Sequence, residues 1–203
     1  MTGSGLESSS RSGIFGGAFD PPHDGHVALA LEAIDHFHLG RLLVRVVADP
    51  GHKEVETAPQ IRLTLAELAF AAIDEAEVSL DPFARTVDSL EALCLDAPVG
   101  LDDPVFLIGA DELAAFPTWT RPGRVLELAR IGVATRPGSD RSELERVVGS
   151  LPRSGRVELF PITPLAVSSS EVRERVRAGL PIDDLVPVAV AAEIRRLDLY
   201  RGG

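Results

Sequence analysis

Two histidines three positions apart, His23 and His26, are the residues of this sequence best suited to bind a phosphate. They close the stretch GIFGGAFDPPHDGH (13–26), in which a short apolar run reaches a glycine pair and two prolines follow. This pattern predicts a buried strand, a tight loop and then the start of a helix. The unpaired amides and the positive dipole end at a helix start favour an anion. The stretch therefore predicts a phosphate site that contains both imidazoles.

Strand patterns and helix patterns alternate along the rest of the chain. Strands are expected near residues 12–15, 42–48, 78–80, 104–110, 131–135 and 157–160. Helices are expected near residues 25–38, 59–73, 87–96, 124–129, 142–150, 169–178 and 187–197, with a short helical piece from Asp111 and with Gly40 ending the first helix. The alternation predicts an α/β fold, a doubly wound and mainly parallel sheet with a small helical part at the C-terminus. Ligands bind where the strands of such a sheet end, and His23, His26 and Arg136 all follow predicted strands.

The composition limits the classes of partner. The 203 residues are 45% hydrophobic and 25% charged, which suits a single domain at 13–203 after a flexible leader at 1–12. The net charge of −11 argues against nucleic acid, because such binding draws mainly on Lys and Arg. No apolar run reaches the length of a membrane span, so we expect a cytoplasmic protein without a membrane partner. The single cysteine, Cys94, cannot form an internal disulfide and is expected to be buried in a helix.

Two common nucleotide-binding motifs do not fit the sequence. GIFGGAF lacks the G-x-G-x-x-G spacing of dinucleotide-binding folds, and Asp49 is a weak candidate for the acidic residue after the second strand. The P-loop pattern G-x-x-x-x-G-K-[ST] is absent, and so are C-x-x-C and H-E-x-x-H. Hydride transfer, P-loop hydrolysis and a zinc site are therefore not expected.

The segment GGAFDPPHDGH (16–26) resembles GGTFDPPHxGH, the signature of bacterial nicotinate mononucleotide adenylyltransferases within the HxGH nucleotidyltransferase superfamily. It departs from that signature only at Ala18. Four further segments resemble the family in the same order, namely LIGADELAAFPTW, ATRPG, VSSSEVR and LVPVAVAAEIRRLDLY. The resemblance covers nearly the whole chain and implies a Rossmann-like nucleotidyltransferase fold. It also implies transfer of the adenylyl group of Mg-ATP to nicotinate mononucleotide, with release of pyrophosphate, in NAD biosynthesis.

The resemblance assigns one set of residues to ATP. His23 and His26 are implied as the catalytic residues, which donate hydrogen bonds to the ATP phosphates. The implied ATP-binding residues are Gly16, Gly17, Phe19, Asp111, Ser169, Ser170 and Arg173. Mg²⁺ is expected to enter with ATP, and no dedicated metal ligands are expected. Structural roles remain open for some of these positions, because Ser168 and Glu171 also form a capping box and Asp111 could cap a helix.

A second set is implied for the acceptor, a pyridine mononucleotide. It consists of Trp119, Thr86, Lys53 and Arg136. The alternatives for these residues are a core position for Trp119 and a solvated loop position for Lys53. Arg62 and the pair Arg195 and Arg196 are expected to be surface or structural residues.

The acceptor itself stays open, because this part of the chain departs from the family pattern. The segment DPFARTVDSL (81–90) is shorter than its family counterpart and has Arg85 where the family has Tyr, and Thr120 replaces an aromatic residue. Nicotinamide mononucleotide and phosphopantetheine therefore remain as alternative acceptors. A catalytically silent nucleotide-binding protein is the alternative from a different functional class. Nothing in the sequence indicates the oligomeric state.

Overall fold

The computed structural model describes residues 11–51, 54–95, 101–136, 138–163 and 165–202. The strands are β1 (Arg11–Gly17), β2 (Leu39–Val47), β3 (Ala76–Asp81), β4 (Val105–Gly109), β5 (Arg130–Thr135) and β6 (Val157–Pro161). They form one parallel sheet in the order β3-β2-β1-β4-β5-β6. The chain winds outward in opposite directions from β1 and from β4. These two neighbouring strands therefore flank the switch point, where such sheets bind ligands.

Helices cover both faces of this sheet. In the described ranges they are α1 (Asp24–Phe37), α2 (Pro59–Phe70), α3 (Thr86–Leu95), α4 (Ala110–Ala115), α5 (Pro122–Leu128), α6 (Arg141–Ser150), α7 (Ser169–Arg177) and α8 (Val188–Arg196). Buried residues of α1, α2, α7 and α8 share one apolar cluster with the sheet, which we call the first face. Buried residues of α3 to α6 share the other cluster, the second face. The predicted doubly wound α/β fold is thus confirmed.

Side chains of each strand alternate between the two faces, as the pleat requires. On β2, Leu42 and Val44 contribute to the first face and Leu43 to the second. On β1, Phe15 contributes to the first face and Ile14 to the second. This alternation determines on which side of the sheet each residue near the strand ends lies.

The start of β1 and the end of α1 differ from the sequence prediction. Arg11, assigned to the leader, belongs to β1, and buried Ser12, where the strand was expected to begin, is its second residue. Gly40 does not end α1, because it lies within β2. The helix ends instead at His38, whose φ of 53° is left-handed and whose N–H bonds to carbonyls of the last turn. A non-glycine residue tolerates this conformation at modest cost, which leaves no glycine signal at the true helix end.

Cys94 is exposed, so its predicted burial is wrong. The buried residues of α3 are Val87, Ser89 and Leu90, all in its first half. The last turn therefore extends beyond the part of the helix that packs on the sheet, and the apolar pattern there does not mark a buried face.

No helix of the described ranges is both long enough and apolar enough to cross a bilayer.

Candidate active site

The loop between β1 and α1 holds Phe19 inside the core. Phe19 has a left-handed φ of 50° and is 2% exposed. Its ring packs edge-on against Phe15, Phe70 and His26, with centroid distances of 5.4, 5.8 and 5.1 Å. A Cβ at Gly17 would lie 3.0 Å from the same ring, so glycine is needed there for packing. Phe19, implied as an ATP residue, can therefore meet a nucleotide only through its backbone.

The two histidines form one stacked unit at the start of α1. His23 is the N-cap residue, and its ring lies 3.7 Å from that of His26, centroid to centroid. The backbone N–H of His23 donates to Nδ1 of His26 over 3.2 Å. Because Nδ1 accepts this bond, the neutral ring of His26 carries its hydrogen on Nε2. The backbone bond thus selects the tautomer that offers a donor at the far side of the ring.

His23 is an uncharged group in this setting. It is 8% exposed, and burial, together with the positive charge of Arg136, lowers its pKa to about 4. Its Nδ1 atom is buried and has no hydrogen-bond partner in the described part of the chain. Buried polar atoms are nearly always paired in native proteins, so this atom is a candidate for contact with a ligand. The structure also brings Arg136, from the end of β5, close to the histidines.

The start of α7 packs directly against this loop. Ser169 donates from Oγ to the carbonyl of Pro21 over 2.8 Å, and Arg173 donates from Nη1 to the carbonyl of Asp20 over 2.7 Å. Ser168 caps the helix by accepting from the N–H of Glu171, as its capping role predicts. Two implied ATP residues are thus brought to the histidine loop, although they lie about 150 positions away in sequence.

Arg173 is held by a carboxylate that the sequence did not single out. Its Nε donates to Oε1 of Glu56 over 2.9 Å, and Nη2 donates to Oγ of Ser170 over 3.3 Å. Arg177 also pairs with Glu56. The guanidinium of Arg173, which the resemblance assigns to ATP, therefore already pairs with a carboxylate of the chain itself.

Asp20 is the second residue that sequence reasoning missed. It is 3% exposed and accepts hydrogen bonds from the N–H of Glu56 (2.5 Å), Oγ1 of Thr57 (2.6 Å) and the hydroxyl of Tyr200 (2.8 Å). Burial and the negative charge of Asp20 raise the pKa of Tyr200 above its usual range. Asp20 lies inside the motif GGAFDPPH, which is the one signal that could have marked it.

Arg62 has a structural role. Its side chain is fully buried and donates to the carbonyls of Ala18 (2.7 Å), Val47 (2.8 Å) and Ala48 (2.7 Å). A further bond of 3.2 Å reaches the carbonyl of Thr57. The guanidinium therefore joins the segments that follow β1 and β2 beneath the histidine loop.

Two of the acceptor candidates, Thr86 and Trp119, lie beside α3. Thr86 begins α3, and half-buried Trp119 packs on the ring of Phe116 at 5.2 Å. Arg121, two residues after Trp119, donates to Asp88 in the first turn of α3 over 2.8 Å. This ion pair holds the tryptophan segment next to the start of the helix. The structure thus brings Thr86 and Trp119 to the same side of the sheet.

Two further candidates, Asp111 and Lys53, remain to be placed in the structure. Asp111 lies exposed in the first turn of α4, after β4 ends. It does not cap α4, because Gly109 is the N-cap residue and its N–H donates to Glu112 over 3.0 Å. Lys53 and the neighbouring His52 lie outside the described residues.

No group of three or more His, Cys, Asp and Glu side chains in the described ranges is arranged to hold a metal ion.

Comparisons with known proteins agree with this geometry. The family model described as cytidylyltransferase-like matches residues 14–175. A protein of Thermomicrobium roseum is 37% identical over 200 residues, covering 95% of this chain and 92% of that protein. A protein of Bordetella avium is 33% identical, covering 94% of this chain and 98% of that protein. Both relatives are named probable nicotinate-nucleotide adenylyltransferase.

A solved structure shares the fold. The nicotinic acid mononucleotide adenylyltransferase of Plasmodium falciparum, complexed with NaAD, superposes with a TM-score of 0.74 at 18% identity, over 94% of this chain and 97% of that one. The histidine motif, the doubly wound sheet and the two curated relatives lead to one assignment. The chain belongs to the cytidylyltransferase-like family and, within it, to the nicotinate-nucleotide adenylyltransferases.

Proposed function

We propose that this protein is an enzyme of NAD biosynthesis that transfers the adenylyl group of Mg-ATP to nicotinate mononucleotide. The products are deamido-NAD and pyrophosphate. The observation that carries the proposal is the stacked pair His23 and His26 at the start of α1, with the start of α7 packed on the same loop. The curated relatives carry the same activity in their names.

The reaction requires alignment and charge stabilisation rather than a protein nucleophile. The phosphate oxygen of the acceptor attacks the α-phosphorus of ATP, and the bond from that phosphorus to the bridging oxygen breaks as pyrophosphate leaves. The attacking group is already an anion, so the protein must hold the two phosphates in line and stabilise charge on the leaving oxygens. Mg²⁺ arrives as part of the substrate, bound to the ATP phosphates.

Different described residues bind different phosphates of ATP. Nε2–H of His26 donates to an ATP phosphate, and the neutral ring of His23 lies beside it. Ser169, Ser170 and Arg173 hold the β- and γ-phosphates at the start of α7, where helix amides add to the attraction.

Further contacts are proposed at the ends of the strands. The backbone at Gly16, Gly17 and Phe19 lies along the nucleotide, and Asp111 binds a ribose after β4. On the acceptor, Arg136 binds the phosphate and Trp119 stacks on the pyridine ring, with Thr86 at the start of α3. Lys53 is an additional candidate for the acceptor phosphate. We place this chemistry in the cytoplasm.

The proposal is tested by supplying Mg-ATP with one acceptor at a time and measuring pyrophosphate. Nicotinate mononucleotide should give turnover, with deamido-NAD formed in equal amount. Turnover with nicotinamide mononucleotide or phosphopantetheine alone would contradict the proposed acceptor. ATP binding by calorimetry without turnover on any acceptor would instead identify a nucleotide-binding protein.

A further inference from the structure

Arg45 lies on β2, at the end of the sheet where the ligands bind. It occupies the same register level as Gly16 of β1 and Ser79 of β3. Leu43, two positions earlier, belongs to the second face, so the alternation of the strand places Arg45 on that face as well. A cation is therefore directed to the side of the sheet that carries α3 and Trp119.

Gly16 leaves space beside this cation. A Cβ at Gly16 would have the ring of Phe106 as its nearest neighbour, at 3.5 Å. The ring of Phe106 lies 6.4 Å from that of Trp119, edge to face. The second face thus presents a guanidinium, a position without a side chain and an aromatic group in succession.

The guanidinium of Arg45 has unused hydrogen-bonding capacity. Its side chain is 16% exposed, Nη1 donates to Oγ of Ser79 over 2.9 Å, and Nη2 lies 3.6 Å from Oδ1 of Asp81. The Nε atom is buried without a hydrogen-bond partner in the described part of the chain. Asp81 is already satisfied by Oγ of Ser89 at 2.5 Å and the N–H of Phe83 at 3.1 Å. The ion pair with Asp81 therefore does not use all the hydrogen-bond donors of Arg45.

The start of α3 adds to the positive potential on this side. Thr86 is its first residue, and Ser89, one turn later, bonds to the same Asp81 that faces Arg45. The start of a helix of this length favours an anion, and here the half-buried cation Arg45 faces Asp81, the residue that bonds to the first turn of the helix. The combination suits a planar aromatic group that bears a carboxylate.

We propose that Arg45 is a specificity-determining residue that binds the ring carboxylate of nicotinate mononucleotide, with the ring between Gly16 and Trp119. This inference rests on the proposed function and identifies the group that distinguishes the acid acceptor from the amide. The acceptor phosphate belongs elsewhere, because it must meet the α-phosphate of ATP near His23 and Arg136. The ring end of the acceptor then points to the opposite side, toward α3.

The test uses the variants Arg45→Gln and Arg45→Lys with two acceptors, nicotinate mononucleotide and nicotinamide mononucleotide. Arg45→Gln should lower the ratio of the two kcat/KM values, acid over amide, by about 10- to 100-fold, the usual worth of a hydrogen bond to a charged group. Arg45→Lys keeps the charge and should restore part of that ratio. The KM for ATP should not change in either variant.

Arg41→Gln is the matched control. Arg41 lies on the same strand and the same side of it, and pairs with Glu77 of β3 through bonds of 2.7 and 2.6 Å, but at the other end of the strand. The Arg41→Gln variant should leave the ratio of the two kcat/KM values unchanged. Thermal midpoints of all three variants separate loss of folding from loss of selectivity.

Three outcomes overturn the inference. An unchanged ratio in Arg45→Gln would make Arg45 purely structural, and an equal loss for both acceptors would place its charge on the shared phosphate. If the wild-type protein turns over neither acceptor, the proposed function fails, and the Arg45 assignment is then judged by calorimetry. In that case an unchanged Kd for nicotinate mononucleotide in Arg45→Gln overturns it.

Discussion

The hydroxyl of Tyr200 donates a hydrogen bond of 2.8 Å to Oδ1 of Asp20, 180 positions earlier in the chain. Asp20 lies three residues before His23, so the C-terminal segment contacts the loop that carries the candidate catalytic residues. Thr57 and the N–H of Glu56 complete the set of donors around the same carboxylate. The position of the histidines therefore depends on two distant segments, one at residues 56–57 and one at the C-terminus.

Removing the hydroxyl with Tyr200→Phe should weaken this arrangement. A buried carboxylate that loses one of its donors destabilises the fold by about 1–3 kcal/mol. The thermal midpoint should then fall by roughly 2–4 °C per kcal/mol, and kcat should fall by about 10-fold because the loop shifts. Calorimetry and pyrophosphate release measure the two effects. Ser150→Ala removes an exposed hydroxyl, bonded at 2.6 Å to the carbonyl of Val147, and serves as the control with unchanged kcat.

The histidine loop could be predicted from the sequence because all the residues that indicate it are close together in the chain. Apolar run, glycine pair, prolines and helix start fall within fourteen residues, 13–26. The partners of Asp20 are not readable in this way, since they come from positions 56, 57 and 200. Which side chains meet there is decided by strand order and by the path of the C-terminal segment.

Local signals also mislead where packing decides the outcome. Gly40 has the residue type of a helix terminator, but β2 begins at Leu39 and His38 takes the left-handed position. Phe19 lies in a binding motif, yet its ring is in the core. The sequence gives no sign that Arg45 differs from the other residues of a β-branched run, and its proposed role follows only from the register that places it beside Gly16.

Two replacements of His26 distinguish the roles of its two ring nitrogens. His26→Asn keeps an acceptor near the Nδ1 position, which can still bind the N–H of His23, but removes the Nε2 donor. We expect kcat to fall by about 10²- to 10³-fold with little change in stability, as for loss of one donor to a developing charge. His26→Gln can restore a donor near Nε2 and should retain more activity than His26→Asn. The reverse order would mean that His26 acts mainly through its backbone bond.

The neutrality of His23 predicts a pH dependence of stability. Its pKa in the folded protein is about 4, below the ordinary value of 6.5. The unfolded chain therefore binds a proton first as the pH falls, and stability should decline between about pH 6.5 and 4 by up to about 3 kcal/mol. Above that range His23 does not make the free energy of unfolding depend on pH.

The control for this pH effect is His36, a histidine that is more exposed than His23. His23→Gln should flatten the decline in denaturant unfolding measured from pH 7.5 to 4.5. His36→Gln, whose parent ring is bonded to Glu158 at 3.0 Å on the surface, should not remove it. An equal decline in wild type and His23→Gln would show that His23 is not the group responsible.

Glu56 holds the guanidinium of Arg173 with a bond of 2.9 Å, where we propose that ATP phosphates bind. Its carboxylate both competes for that donor and repels the triphosphate. Glu56→Gln should therefore lower the Kd for Mg-ATP by about 3- to 10-fold, the range of one partly screened charge interaction. Calorimetry at low and high salt measures this gain, which should shrink as salt rises. Glu77→Gln breaks a comparable pair with Arg41 away from the loop and should leave the Kd unchanged. Weaker ATP binding in Glu56→Gln would show that Glu56 orients Arg173 rather than competing for it.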